Sequence, residues 1–308
     1  MTPQDPGTAQ TAHPGQTKEA LGIGVAPVSR AATRPYWLNA GRASDLPTRA
    51  EQIRYRFYET IPGVLAWGTL GCVTLGSWLY PTGVAIFIIA FDLYWLLKTV
   101  FLSLHLRSAF RRMRANLATD WEAKLRELNR PWQDTYHLVL LPMYRESYEL
   151  VAATLRALAH SRYPKERFIV VLTVEERAGA QGQVVARRIA EEFGNAFFKL
   201  FTTTHPAGLP DEMAGKGSNL AWAAQEVKNR VIDPLAIPYK DIVVSAFDID
   251  TIAPPEYFLC LTYHYLTAEK PARTSYQPIP IYANNIWEAP SFARVVSFSA
   301  SFWHMMQQ

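Results

Sequence analysis

The stretch IVVSAFDID, residues 242–250, decides how this chain is read. A short run of apolar and small residues (242–247) passes directly into Asp248-Ile249-Asp250, and a turn marked by Pro254-Pro255 follows. A continuous apolar run bounded by turn residues fits a strand buried on both faces, as in a parallel sheet. Residues i and i+2 of a strand share a face, so the two carboxylates can look into one cleft. Adjacent carboxylates repel, and the usual partner is a hard divalent cation, Mg²⁺ or Mn²⁺, that completes its shell with water and substrate phosphates. An isolated Asp-x-Asp is a solvated turn. Its position at the end of a buried strand makes Asp248 and Asp250 candidate metal ligands.

Working outward, three more strand-length runs precede this one: 136–141 (YHLVLL), 168–174 (FIVVLTV) and 197–203. Helical periodicity fills the intervals at 147–160, 181–193 and 218–229, and again at 255–269, with Gly194 expected just past the second helix. Strands alternating with helices predict an α/β domain with a mainly parallel sheet covered on both faces. Ligands of such sheets sit at the carboxyl ends of the strands. There the sequence places Pro142-Met143-Tyr144-Arg145-Glu146 after the first strand and Glu175-Glu176 after the second. Gly215-Lys216-Gly217-Ser218-Asn219 lies between the third and fourth. The Gly-Lys-Gly segment suits a phosphate at a helix N-terminus, and a plain turn capped by Ser218 is the simpler reading. It is not a P-loop, because Gly217 stands where Ser or Thr is required.

The pattern counts against other chemistry. The seven histidines form no HxxxH pair, and no GxSxG elbow is present. His264 reads as a packed helix residue. Cys72 and Cys260 have neither metal-ligand spacing nor the number for a disulfide framework, which fits a reducing compartment.

Hydrophobic residues make up 49% of the 308 and charged residues 19%, distributed unevenly. Residues 1–48, rich in Pro, Gly, Thr, Ala and Gln, read as a disordered tail. Residues 61–80 carry no charge and 84–104 are broken only by Asp92 and Lys98. Each run is about the ~20 residues needed to cross a bilayer. Arg49, Arg54 and Arg56 precede the pair, and Arg107, Arg111, Arg112 and Arg114 follow it. By the positive-inside rule both outer ends are cytosolic, which predicts a transmembrane hairpin over 49–106 linked by Pro81-Thr82-Gly83. The net charge of +4 is thereby assigned to membrane topology, not to nucleic acid. Asp92 costs ~2.5–3.5 kcal/mol at a helix centre, so it either faces other helices or is protonated. Residues 107–131 are expected to form a cytosolic interfacial helix, with Thr119 and Glu122 as a capping box.

Taken together, these segments resemble the family 2 glycosyltransferases, in particular the membrane-embedded, cellulose-synthase-like branch, over about 136–284. Residues 142–146 (PMYRE) are similar to that family's Pro-x-Tyr-Asn-Glu loop, with Arg145 in place of Asn. Glu175-Glu176 stands where the family has paired aspartates, Lys216 to Leu220 (KGSNL) resembles its Lys-x-x-Asn-Leu, and Asp248-Ile249-Asp250 its metal-binding Asp-x-Asp. Gln277-Pro278 resembles a later strand near the donor.

The resemblance implies a GT-A-like nucleotide-sugar-binding domain over 132–308, behind the hairpin, with its catalytic domain in the cytosol. Its expected donor site is Pro142, Tyr144, Glu146, Glu175, Glu176, Lys216, Asn219, Asp248 and Gln277, with Mg²⁺ or Mn²⁺ on Asp248 and Asp250. The expected reaction is inverting transfer from a UDP- or GDP-sugar to a lipid or glycan acceptor. The family's acidic motif with the general base and its Gln-x-x-Arg-Trp segment are expected beyond Gln308, so the domain reads as incomplete. Two alternatives stay open: a non-catalytic membrane module that keeps the fold, and another nucleotide-dependent enzyme such as a nucleotidyltransferase.

Overall fold

A computed structural model describes residues 41–209, 212, 215–282 and 286–306. Most of the expected N-terminal tail lies outside the described residues. Its last part is ordered into a short 3-10 turn at Ala43–Asp45, and Ala43 is buried. Thr48 then caps α1, Arg49–Leu79, by accepting the Glu51 N–H at 3.3 Å.

α1 and α2, Pro81–Ala118, are long and apolar enough to cross a membrane, and none of their apolar windows is buried within the protein. Pro81-Thr82-Gly83 is not a separate link. Pro81 opens α2, because a missing N–H costs nothing in a first turn, and Tyr80 alone joins the helices. The two pack closely at this corner: a Cβ on Gly76 would lie 2.8 Å from the Val84 side chain. Asp92 is exposed on α2.

The helix expected over 107–131 is broken. α2 runs to Ala118, and α3, Trp121–Glu127, starts afresh with Asp120 as its N-cap. Asp120, not Thr119, accepts the Ala123 N–H at 3.1 Å, since a carboxylate is the stronger acceptor facing an orphan helix donor. Trp121 and Leu125 of α3 are buried in the core of the following domain.

That domain is built on four parallel strands: β1 (Tyr136–Met143), β2 (Phe168–Glu175), β3 (Lys199–His205) and β4 (Ile242–Ala246), in the order β3-β2-β1-β4. β2 is buried along its whole length, as the unbroken apolar run requires. α4 (Tyr148–Ala159), α5 (Gly179–Phe193) and α7 (Tyr257–Thr267) cover one face with α3, around Val139, Leu141, Val170 and Leu172. α6 (Lys216–Val227) covers the other, over Leu138, Leu140, Ile169 and Val171. An α/β architecture behind two long apolar helices is therefore the fold of this chain. Some helix ends differ from expectation. Gly194 stays right-handed (φ −53°), Gly215 rather than Ser218 is the N-cap of α6, and α6 continues as a π turn through Ile232. A last helix, α8 (Ser291–Met306), packs on α2.

Candidate functional site

The strand order fixes where a ligand fits. From β1 the chain winds outward to β2 and β3, then crosses back to lay β4 on the other side of β1. The crevice at that switch point, beyond the carboxyl ends of β1 and β4, is the favoured ligand position in open α/β sheets. An open cleft of about 360 Å³ lies there. Pro142 from β1, Tyr144 and Glu146 from the loop after it, Glu175 from β2, Lys216 and Asn219 from α6, and Asp248 and Asp250 after β4 all line it.

Each is held by its local structure. Past β4 the burial alternates, with Phe247 and Ile249 buried and Asp248 and Asp250 exposed, so the strand pattern persists and both carboxylates share one side. The Phe247 N–H donates to the Leu140 carbonyl (3.1 Å), the Thr251 N–H to Asp248 (3.0 Å), and the buried Thr154 hydroxyl of α4 to the Ile249 carbonyl (2.6 Å). Glu146 accepts the Tyr144 N–H at 2.6 Å, closing the loop after β1, and the Arg145 guanidinium stacks on the Tyr144 ring. Asn219, almost fully buried, donates to the Thr173 carbonyl at 3.0 Å and so ties the first turn of α6 to β2.

Two of the site's carboxylates are ion-paired. Lys216 forms an ion pair with Asp248, and Arg177 one with Glu175. Two carboxylates on one side, beside an ammonium at a helix start, fit a hard cation that shares its shell with phosphate oxygens. Among the described residues no group of three His, Cys, Asp or Glu side chains could hold a metal unaided.

Two expected residues lie elsewhere. Glu176 turns away from the cleft and accepts the Ala207 N–H at 2.7 Å, bracing the loop after β3. Gln277 is exposed in a segment without regular structure, where Pro278 and Pro280 lack the N–H that a strand ladder needs. Thr154 and Arg177 were missed by sequence reasoning. Thr154 reads as one more residue of an amphipathic helix, and nothing local links it to a carbonyl 95 positions on. Arg177 had a visible signal, a cation two residues from a strand-end carboxylate. His264, expected to be packed, is exposed on α7, with one edge against Trp121 (ring centres 5.4 Å apart).

No protein-family model and no curated protein matches the sequence. Among solved structures the chain is similar to the mannosyltransferase PcManGT from Pyrobaculum calidifontis, in complex with GDP-Man and Mn²⁺, at 18% identity and a TM-score of 0.29. The match covers 53% of this chain and 44% of that one, so it spans less than half the length of that protein.

Proposed function

We propose that this chain is a membrane-bound, metal-dependent glycosyltransferase that takes a UDP- or GDP-sugar at the cytosolic face and transfers the sugar, with inversion, to a lipid or glycan acceptor. The observation that carries the reading is the meeting of β1, β2, β4 and the start of α6 in one cleft, lined by four carboxylates and a lysine, at the switch point of the sheet. The proposed division is a tail over 1–48, a hairpin over 49–106, a connecting segment over 107–131 and a GT-A-like domain from 132 onward.

In this reading Asp248 and Asp250 hold Mg²⁺ or Mn²⁺, which neutralises charge on the leaving diphosphate when bound. Lys216 and the first N–H groups of α6 face the diphosphate, and Asn219 fixes the start of that helix against β2. Pro142, Tyr144 and Glu146 form the wall toward the nucleoside. Glu175 reaches the same wall with Arg177 attached, so base recognition falls to a carboxylate–guanidinium pair and not to two free carboxylates.

A second reading, a non-catalytic membrane module, is favoured by the ion pairs that occupy two of the expected site carboxylates, Asp248 with Lys216 and Glu175 with Arg177. Transfer of radiolabel from UDP- and GDP-sugars to membrane lipid or glycan separates the two. The enzyme reading expects incorporation that disappears in Asp248→Asn. Donor binding without incorporation would favour the module.

A further inference from the structure

We infer that the outer face of α8 lies in the lipid boundary of a bilayer, beside the point where α2 leaves it. This rests on the reading that α1 and α2 span a membrane.

α8 is patterned the wrong way round for a helix in water. A surface helix of a soluble domain turns its apolar stripe inward and its polar residues out. In α8 the buried residues are Ser301 and Met305, and Ala293, Ser297 and Ala300 are half-sheltered. The face turned away from the protein carries Phe292, Val295, Val296, Phe298, Phe302 and Trp303, between 45% and 79% exposed. Soluble proteins rarely leave so large a contiguous apolar patch to water. α1 and α2 show the same inversion.

Position identifies the occupant. α8 packs on α2, where the sheltered residues Leu102, Leu106, Ala109 and Met113 recur every three or four positions and so form one stripe. That stripe crosses the point where the apolar run ends and the arginines 107, 111, 112 and 114 begin. At this depth a bilayer passes from acyl chains to headgroups. A helix of 16 residues measures roughly 24 Å, shorter than a ~30 Å hydrocarbon core, which suits lying in the boundary better than crossing it. Trp303 on α8 and the exposed Trp287 just before it are rings of the kind that settle at a bilayer interface, and the arginines of α2 suit anionic headgroups. The surface therefore fits the interfacial layer of an anionic bilayer, which would hold the domain's cleft at a set height above the membrane.

The full chain with Cys72→Ala and Cys260→Ala, reconstituted in phosphatidylcholine–phosphatidylglycerol vesicles, tests this. A nitroxide is attached in turn through Val296→Cys and Phe302→Cys, with Leu75→Cys on α1 as the lipid reference and Arg187→Cys on α5 as the water reference. Accessibility to oxygen and to a nickel chelate is read by power saturation. The expected result is an oxygen-to-nickel ratio at 296 and 302 several-fold above that at 187 and close to that at 75. A ratio at 296 and 302 equal to that at 187, with 75 still in lipid, overturns the inference and leaves the hairpin standing. Exclusion of both reagents at 296 and 302 also overturns it and shows a protein cover, a second copy or a further segment. A water-like ratio at 75 as well overturns the membrane reading on which it rests. None of these results bears on donor binding, which is measured separately.

Discussion

One buried hydroxyl ties the candidate metal loop to the core. Thr154 donates to the Ile249 carbonyl from inside the core, between the two carboxylates that the loop presents. Thr154→Val keeps the shape and leaves that carbonyl unpaired, an expected loss of ~1–3 kcal/mol in thermal or urea unfolding. Mn²⁺ affinity, measured calorimetrically, should fall with it, and Thr154→Ser should recover part of both. The cation opposite has a different role. Because Lys216 pairs with Asp248, it competes with a metal ion and, once displaced, can face a phosphate. Lys216→Met should therefore bind Mn²⁺ alone more tightly than the parent protein does. It should bind nucleoside diphosphate with Mn²⁺ about tenfold or more weakly, in line with a lost hydrogen bond to a charged group of ~1.5–3 kcal/mol. Weaker binding of both would show that the ion pair only braces the loop.

Between elements, close approach and burial decide the geometry. A Cβ on Gly182 in α5 would meet the Ala178 Cβ at 2.8 Å and the Tyr144 carbonyl at 3.1 Å, so glycine lets α5 lie against the loop after β1. Gly182→Val should destabilise the protein by ~1–3 kcal/mol through overpacking and weaken nucleoside diphosphate binding, because Tyr144 lines the cleft. Trp121→Ala should cost ~3–5 kcal/mol in unfolding, since α3 anchors α2 to the domain through this ring, which packs at a tilt on Tyr263. An ionic chain supports the joint: Arg162 reaches Glu122 at 2.9 Å and Glu256 at 2.5 Å. The strands were legible in the sequence because parallel strands buried on both faces are written as unbroken apolar runs. β3 alone slid by two residues, to Lys199–His205, since its burial is only partial and its edge gives no sharp boundary. The Asp-x-Asp was legible because strand alternation carries past β4. The pairing of Glu175 with Arg177 and of Thr154 with Ile249 was not, because each depends on side-chain reach or on contacts distant in sequence. The destination of α3 was hidden for the same reason: its short amphipathic pattern suits a membrane surface and a protein core equally.

At the scale of the whole molecule, folding fully buries a histidine, His137, that acid should expose. His137 is fully buried among Tyr163, Phe168 and Phe258, and burial pushes its pKa down to about 3. The Thr262 hydroxyl donates to the Phe258 carbonyl at 2.8 Å, so the imidazole donates Nε2–H to the Thr262 oxygen at 2.9 Å and stays neutral. The folded pKa lies below the ordinary 6.5, so the unfolded chain takes up the proton first as pH falls. Stability from this site is full above pH ~6.5 and is lost toward pH ~3 at about 1.4 kcal/mol per unit. Urea unfolding in detergent at pH 7 and pH 5 should therefore differ by about 2 kcal/mol from His137 alone, a difference that His137→Phe removes. The cleft joins this core to function, through strands that end in charge on one side and helices that anchor in apolar surroundings on the other. Calorimetric titration of the full chain with UDP and GDP, with and without Mn²⁺, beside Asp250→Ala, tests that link most directly. The account predicts metal-dependent binding of one of the two diphosphates, abolished in the variant; a folded protein that binds neither, or binds equally well without Asp250, would contradict it.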